Sequence, residues 1–330
     1  MTPAPIRDAG HGSGRALTIT TSDGVALAAH VYPNPTAAVR LVISHGNGLA
    51  ARGYRSFWES LCADFEVVLF DLRGHGASQA GEREHHTWAQ FAHDFEALWQ
   101  ALGDQLDNRR TVGALHSLSA VTSLLHLGEM GRRWDALVLF DPSLPPPTGH
   151  ALEPVHRAEM KRLALRTLGR RANFADPTVL AEQFARTDVF GRWEPGAPLD
   201  MARATLRENL ASGNWSLACE PRREADIYLT NAGLPVWEVL RARPCPLLIV
   251  GGDPRRNDAQ APSRASEAAH LETGVEYEAV EGTGHFLQLE APDRCRIALR
   301  RFLASCFDHA VMTQSSGVAA QQTNPTRRQG

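Results

Sequence analysis

Short, nearly continuous apolar runs alternate along the chain with stretches of helical periodicity. Runs of β-branched and aliphatic residues are typical of strands that are buried on both faces, and therefore of a parallel sheet. Helical patterns between such strands favour a doubly wound α/β sheet. The predicted strands are 39–43, 67–70, 111–115, 136–140, 247–250 and 275–280, and the clearest helices are 87–102 and 118–128.

Two more strands are predicted near the start of the chain, at 16–20 and 25–31. Ser22-Asp23-Gly24 separates them, and an Asp-Gly pair between two such runs is a hairpin signal. The sheet is therefore expected to begin with an antiparallel pair before its parallel part.

The alternation of strand and helix stops after Phe140 and resumes near Cys245. The intervening stretch is too long for a loop in a compact domain, where loops beyond about 12–15 residues are uncommon. Its apolar spacing indicates several short helices, marked by Leu163, Leu165 and Leu168, by Val179, Leu180 and Phe184, and by Leu199, Ala202, Leu206 and Leu210. We predict a mobile N-terminus at 1–14 and a core in two parts, 15–142 and 246–306. A helical insertion is expected at 143–245 and a disordered tail at 307–330.

Composition excludes several classes of protein. The formal net charge is −3, from 34 basic and 37 acidic residues, so the basic footprint of a nucleic-acid-binding protein is missing. The five cysteines form no C-x-x-C pair, which argues against a disulfide scaffold and a structural zinc site. No run reaches the roughly 18 apolar residues of a membrane helix, and the N-terminus lacks the apolar core of a secretory signal. We expect a cytoplasmic protein that binds neither nucleic acid nor a membrane.

Ser117 is the candidate nucleophile. It follows the predicted strand 111–115 and opens the predicted helix 118–128, which is the strand–turn–helix setting of a nucleophile elbow. Such a turn holds the hydroxyl above the sheet, and the helix N-terminus favours developing negative charge. Leu115 and Ser119 stand where the G-x-S-x-G pattern has glycines. The alternative is that Ser117 is an ordinary helix N-cap.

His285 is the candidate general base, because it follows the last predicted strand and can face Ser117 across the carboxyl edge of the sheet. Asp253, two residues after Gly251, is our first choice for the acid that orients the histidine ring. Asp141 and Asp258 are the alternatives. The alternative for His285 is an exposed histidine at the start of a helix. The alternative for Asp253 is an Asp-Pro turn, which is common and has no catalytic function.

The turn His45-Gly46-Asn47-Gly48 follows the predicted strand 39–43. It can direct the backbone N–H of Asn47 at an oxyanion, with the Leu118 N–H as the second donor. The alternative is a glycine-rich connection with no such task. The adjacent His85 and His86 do not share a helix face, so no metal site is predicted.

These residues occur in the order serine, aspartate, histidine, which is the chain order of α/β-hydrolase triads. The sequence resembles that superfamily over roughly 15–305. The resemblance also rests on 71–78, Asp-Leu-Arg-Gly-His-Gly-Ala-Ser, which is similar to the family's D-x-R-G-x-G-x-S loop, and on Gly284-His285-Phe286 followed by Glu290-Ala291-Pro292. It implies an α/β-hydrolase fold in which the insertion is a cap (lid), and Ser117 places the chain with the serine-nucleophile branch.

The expected activity is hydrolysis of a small or medium ester or lactone by Ser117, His285 and Asp253 through an acyl-enzyme, without a cofactor. Thioesterases, C–C bond hydrolases and cofactor-free perhydrolases use the same triad and stay open. A ligand receptor that retains the fold is the alternative from another class. Trp193, Trp215 and Trp237 either line the substrate pocket or form the core of the cap. The sequence leaves the oligomeric state open.

Overall fold

The computed structural model describes residues 14–258 and 260–307. The predicted mobile N-terminus and disordered tail lie outside these residues, apart from Gly14 and Phe307. Among the described residues, no helix has both the length and the apolar character needed to cross a membrane.

An eight-stranded sheet forms the centre of the molecule. Its strands are β1 Arg15–Thr20, β2 Ala26–Tyr32, β3 Val39–Ser44, β4 Glu66–Phe70, β5 Arg110–His116, β6 Ala136–Phe140, β10 Leu247–Gly252 and β11 Glu276–Val280. They lie in the order β1-β2-β4-β3-β5-β6-β10-β11. All neighbours from β4 to β11 pair in parallel, which confirms the mostly parallel sheet. Each strand predicted from an apolar run is present.

The N-terminal hairpin is also confirmed, since β1 pairs antiparallel with β2. Gly24 takes a positive φ of 78° in the turn, a conformation that glycine adopts without a steric penalty. β2 in turn pairs antiparallel with β4. The antiparallel part of the sheet therefore ends where β3 and β4 begin the parallel part.

Helices cover both faces of the sheet, and each face has its own apolar cluster. One cluster contains Trp88, Phe91, Leu124 and Trp134, and the other contains Phe57, Phe140 and Leu299. The helices are α1 Arg55–Trp58, α2 Trp88–Gln105, α3 Leu118–Met130, α4 Glu153–Leu168, α5 Pro177–Ala185, α6 Ala197–Thr205, α7 Pro221–Leu229, α8 Val236–Ala242, α9 Ala261–Thr273, α10 Leu287–Glu290 and α11 Pro292–Cys306.

The inserted stretch is not wholly helical, which corrects the sequence prediction. It contains a small antiparallel sheet of β7 Asn173–Phe174, β8 Leu206–Glu208 and β9 Trp215–Leu217, in the order β7-β9-β8. Strands of two or three residues are too short to show a period-2 pattern, so the apolar spacing could not reveal them. Leu206 thus lies in a strand rather than in a helix.

The insertion packs as an extension of the core. Phe184, Trp193 and Met201 belong to the same apolar cluster as Phe57 and Phe140. At its C-terminal end, α8 packs against α3 and α9, and Trp237 joins the cluster on the opposite face of the sheet. The last helix of the predicted 143–245 segment therefore lies beside the core sheet and not above its carboxyl edge.

The register of the parallel strands brings four chain segments to one edge. Ser44 pairs with Leu115, His116 with Phe140, Phe140 with Val250 and Gly252 with Val280. Because parallel strands end at a common edge, the residues that follow them meet there. Those residues include the candidates for chemistry that the sequence marked.

Candidate active site

Ser117 lies between the last residue of β5 and the first residue of α3 in a strained conformation. Its φ is 52° and its ψ is −107°, a backbone geometry that costs a non-glycine residue of order 1–3 kcal/mol. The turn is held by the Ser117 N–H, which donates to the Phe140 carbonyl at 3.0 Å. Ser119 closes it, since its Oγ accepts from the His116 N–H at 3.0 Å and donates to the His116 carbonyl at 2.9 Å.

Leu115 replaces the first glycine of the usual elbow pattern, and the structure shows where its bulk goes. The side chain is buried in the apolar cluster that includes Leu137. Gly113, two residues earlier, provides the space: a Cβ there would lie 2.5 Å from Leu137 Cδ2 and 3.0 Å from Leu115 Cδ1. The glycine is therefore at position 113, two residues before the position of the usual pattern, and it leaves space for the side chains of Leu115 and Leu137.

The His285 ring lies between Ser117 and an aspartate. The Ser117 hydroxyl is 3.0 Å from His285 Nε2, and His285 Nδ1 is 2.7 Å from Asp141 Oδ2. The exposed fractions of the three residues are 7% for Ser117, 9% for His285 and 0% for Asp141. With the Nδ1–H donating to the carboxylate, Nε2 is free to accept the serine proton.

Hydrogen bonds from β10 and from α9 hold the Asp141 carboxylate. Its Oδ1 accepts from the Gly252 N–H at 3.0 Å, and its Oδ2 accepts from the Ser263 hydroxyl at 3.0 Å. The backbone is again strained, with a φ of 39°. Among the described residues, three non-glycine residues have a positive φ, and Ser117 and Asp141 are two of them.

The expectation that Asp253 contacts His285 is wrong. The Asp253 carboxylate accepts from the backbone N–H groups of Gly282 and Arg255, both at 3.0 Å. These bonds, chiefly that from Gly282, hold the pKa of Asp253 below its usual range. The register explains the error: Phe140 pairs with Val250, so Asp141 follows its strand at the edge whereas Asp253 lies two residues beyond that level.

Asp258, the other alternative, also lies away from the histidine. Its carboxylate pairs with Arg256 at 2.8 Å and with Arg192 at 3.2 Å, and its side chain is 55% exposed. Of the three aspartates that the sequence offered, the structure therefore brings only Asp141 to His285. Ser263, which supports Asp141, carried no signal in the sequence.

The turn after β3 lies directly against Ser117. A Cβ on Gly46 would be 3.2 Å from Ser117 Cβ. Asn47 follows Gly46, and Leu118 is the first residue of α3, a position whose N–H has no acceptor within the helix. Asn47 and Leu118 therefore each follow a residue that lies at the proposed site, Gly46 and Ser117.

Two buried histidines hold this turn. His45 Nδ1 donates to the Gly46 carbonyl at 2.8 Å, and His75 Nε2 accepts from the Gly48 N–H at 3.1 Å. Burial lowers the pKa of His45 to about 4 and that of His75 to about 3. Both rings are therefore neutral at pH 7, and each supplies one donor and one acceptor nitrogen. His75 comes from the 71–78 loop that the sequence singled out.

A buried glutamate from the inserted stretch supports the same turn. The Asn47 side-chain amide donates to the Glu224 carbonyl at 2.8 Å, and a Cβ on Gly48 would lie 2.6 Å from the Glu224 carboxyl group. Burial raises the pKa of Glu224 although Arg170 is 2.5 Å away. Glu224 was not predicted, because it lies 177 residues from Asn47 in the sequence.

Phe190 and Trp193 of the insertion form an aromatic wall with Phe286, next to His285. Phe286 lies against His285, with ring centroids 5.0 Å apart, and against Phe190 and Trp193 at 5.1 and 5.5 Å. The Glu194 N–H donates to the Leu289 carbonyl at 2.7 Å, which fixes the inserted segment on the segment that follows His285. Of the tryptophans considered above, Trp193 therefore lies near the site, Trp215 is in the small sheet and Trp237 is in the core.

The side chains that could bind a metal ion are not clustered in the part of the chain that the structure describes. Within residues 14–258 and 260–307, no group of three or more histidine, cysteine, aspartate or glutamate side chains is arranged to hold a metal ion.

Comparison with known proteins identifies similar sequences and structures. The alpha/beta hydrolase family matches residues 41–298. A sequence comparison with curated proteins gives no match. Solved structures that superpose include E-2-(acetamidomethylene)succinate hydrolase, with 17% identity, a TM-score of 0.69 and coverage of 88% of this chain and 99% of that one.

Two further structures cover the chain to a similar extent. The thermophilic esterase from Thermogutta terrifontis, with malate bound, has 22% identity and a TM-score of 0.62, and covers 88% of this chain and 99% of that one. The thioesterase domain from the curacin biosynthetic pathway has 19% identity and a TM-score of 0.66, and covers 88% of this chain and 100% of that one. At these identities the structures are evidence of a shared fold.

Proposed function

The chain belongs to the alpha/beta hydrolase family, and on this premise we propose that it is a serine hydrolase that uses Ser117, His285 and Asp141. The observation that carries the proposal is the hydrogen-bonded series from the Ser117 hydroxyl to His285 Nε2, 3.0 Å, and from His285 Nδ1 to Asp141 Oδ2, 2.7 Å. This geometry supports the proposed roles of nucleophile for Ser117, base for His285 and orienting group for Asp141.

In the first half of the reaction, Ser117 Oγ attacks the carbonyl carbon of the substrate while His285 Nε2 takes the hydroxyl proton. The Asp141 carboxylate holds the proton on Nδ1 and stabilises the imidazolium ion that forms. The N–H groups of Asn47 and Leu118 are proposed to bind the oxyanion of the tetrahedral intermediate. His285 then protonates the leaving group, which departs as an alcohol, and the acyl group stays on Ser117.

In the second half, water attacks the acyl carbon and gives a proton to His285 Nε2. Collapse of the second tetrahedral intermediate breaks the bond to Ser117 Oγ, which recovers its proton from His285. The products are a carboxylic acid and the free enzyme. Each proton that His285 removes is returned within the cycle, so the proton balance closes.

We propose a small or medium uncharged ester or lactone as the substrate. The low exposure of Ser117 and His285 and the aromatic wall of Phe190, Trp193 and Phe286 support a mostly apolar site that is closed to polymers. The strain at Ser117 supports catalysis over ligand reception, because a receptor gains nothing from a nucleophile held at a positive φ.

Labelling with a fluorophosphonate tests the proposal directly. The full-length protein should react at one serine, and peptide mapping should place the label on Ser117. Ser117→Ala should remove both labelling and ester hydrolysis, with a loss of about 10⁶-fold in kcat by analogy with subtilisin. Ser123→Ala is the matched control, since Ser123 is buried in α3 and bonds the Ala120 carbonyl at 2.8 Å. Labelling of another serine would reject the assignment.

A further inference from the structure

Two buried side chains connect the three segments that carry the proposed chemistry. Tyr54 lies in the 3₁₀ turn that precedes α1, and His116 is the last residue of β5, directly before Ser117. Both are 0% exposed. Neither takes part in the reaction described above, and the sequence marked neither of them.

Their hydrogen bonds form a continuous chain. The Gly46 N–H is 3.3 Å from Tyr54 Oη, Tyr54 Oη is 2.7 Å from His116 Nδ1, and His116 Nε2 is 2.9 Å from the carbonyl oxygen of His285. One end of the chain thus holds the residue before Asn47. The other end holds the backbone of His285, and His116 itself is joined to Ser117 by a peptide bond.

The direction of each bond follows from the proton count. Burial raises the pKa of Tyr54, so its hydroxyl keeps the proton. The His285 carbonyl can only accept, so His116 Nε2 must carry a hydrogen. Because burial keeps the His116 ring neutral, Nδ1 is bare and accepts the Tyr54 hydroxyl proton. The hydrogen bonds of both ring nitrogens are therefore satisfied by one neutral tautomer, with the hydrogen on Nε2.

The neutral state of His116 matters for its neighbour. Its ring centroid is 4.8 Å from that of His285, and burial lowers the pKa of His116 well below its usual value. A charged ring at this distance would oppose the imidazolium ion that His285 forms in the reaction. A neutral ring can hold the backbone of His285 without adding that repulsion.

We propose that Tyr54 and His116 are positioning residues, which hold the Gly46–Asn47 turn and the His285 backbone in fixed relation to Ser117. This inference rests on the proposed function, since it concerns the alignment of His285 Nε2 with the Ser117 hydroxyl. The packing leaves little freedom, because a Cβ on Gly46 would be only 2.9 Å from His116 Nδ1. A displacement of about 1 Å from a reactive geometry can cost about 10²-fold in rate.

Substitutions of His116 separate the two hydrogen bonds. His116→Gln places an amide near the position of Nε2 and can retain the bond to the His285 carbonyl, whereas His116→Asn can retain only the contact with Tyr54. We expect kcat for an activated ester to fall about 10²-fold in H116N and by less than about 10-fold in H116Q, with KM changed less than about threefold in both. Y54F should lower kcat by about 10-fold, because Gly46 and His116 each lose a partner.

The matched control is His126→Asn, which also removes a buried histidine. His126 is 0% exposed, and its two ring nitrogens bond Glu96 at 2.9 Å and Trp134 at 3.2 Å, away from the proposed site. It should lower the melting temperature by an amount similar to H116N and leave kcat near the wild-type value. Equal kcat losses in H116N and H126N, or wild-type kcat in H116N, would overturn the positioning role.

Imidazole ¹⁵N spectra of the full-length protein give a readout that does not depend on turnover. The signals that disappear in H116Q should belong to a neutral ring with hydrogen on Nε2 at pH 7, and a cationic ring or an Nδ1–H tautomer would contradict the hydrogen-bond chain. Absence of Ser117-dependent labelling in the wild type would reject the proposed function itself. Normal labelling with unaffected kcat in H116N would reject this inference alone.

Discussion

His285 Nδ1 lies 2.7 Å from Asp141 Oδ2, although 144 residues separate the two in the sequence. The aspartate immediately follows β6 and is anchored to β10 through the Gly252 N–H. The histidine follows β11, so the contact spans the three strands β6, β10 and β11. This relationship determines which carboxylate can orient the proposed base.

Replacement of the acids tests that relationship. Asp141→Asn should lower kcat for an activated ester by about 10⁴-fold, by analogy with a protease triad in which the amide favours the wrong histidine tautomer. Asp253→Asn and Asp258→Asn are the controls and should lower kcat by less than about 10-fold. Steady-state kinetics on the three purified variants, with melting temperatures to verify folding, decides the question. A larger effect of D253N than of D141N would contradict the assignment.

The length of the acyl chain should have an optimum. Each methylene buried against the aromatic wall contributes about 0.8 kcal/mol, or about fourfold in kcat/KM, until the site is full. With a fixed leaving group, kcat/KM should therefore rise from acetate to a medium chain and then fall. Phe190→Ala should move the maximum to a longer chain. Leu210→Ala, at a side chain that is 77% exposed, should not move it.

A rate that rises steadily up to long chains would argue against the closed site. A sudden increase at an oil–water interface would have the same meaning, because it indicates a site that opens on an emulsified fat.

Gly46 should tolerate no side chain. In Gly46→Ala the new Cβ would lie 2.9 Å from His116 Nδ1 and 3.2 Å from Ser117 Cβ, so the turn or Ser117 must shift. We expect a loss of about 1–3 kcal/mol in the free energy of unfolding from overpacking and a fall in kcat of at least about 10²-fold. Denaturant unfolding and ester kinetics measure the two effects.

Gly103→Ala is the control for this change. Gly103 lies within α2, and nothing is within 4 Å of the position of its Cβ. Alanine there should stabilise the protein by about 0.5–1 kcal/mol and leave kcat unchanged. Normal stability and activity of G46A would show that the turn can move away from Ser117 at little cost.

The buried His86 should make stability depend on pH. Its ring is 3% exposed, neither nitrogen has a hydrogen-bond partner among the described residues, and burial lowers its pKa to about 2. The unfolded chain binds a proton at this residue below about pH 6.5, whereas the folded chain does not. Its contribution to stability is therefore complete above pH 6.5 and declines as the pH falls, by about 2 kcal/mol at pH 5.

His86→Phe should remove this part of the pH dependence. The difference in unfolding free energy between pH 8 and pH 5 should become smaller by about 2 kcal/mol, as measured by urea titrations at both pH values. His93→Phe is the control, at a histidine whose side chain is 45% exposed. An unchanged difference in H86F would mean that His86 is protonated in the folded protein.

Local patterns predicted the sheet. Strands such as Ala136–Phe140 and Leu247–Gly252 are buried along their whole length, so nearly every residue in them is apolar and the run is visible in the sequence. The Asp-Gly turn between β1 and β2 was equally clear. By contrast, Asn173–Phe174 and Trp215–Leu217 pair in a small sheet whose strands are too short to produce a pattern.

The sequence by itself also determined the candidate serine and histidine, because each follows a strand in a setting with a local signature. Only the tertiary structure decided among the acids, since Asp141, Asp253 and Asp258 all come shortly after a strand. The strand register sets how far each carboxylate lies beyond the sheet edge, and register depends on pairing between segments that are distant in the chain. Tyr54, His116 and Glu224 could not be identified from the sequence for the same reason, because their contacts join distant segments that no local pattern encodes.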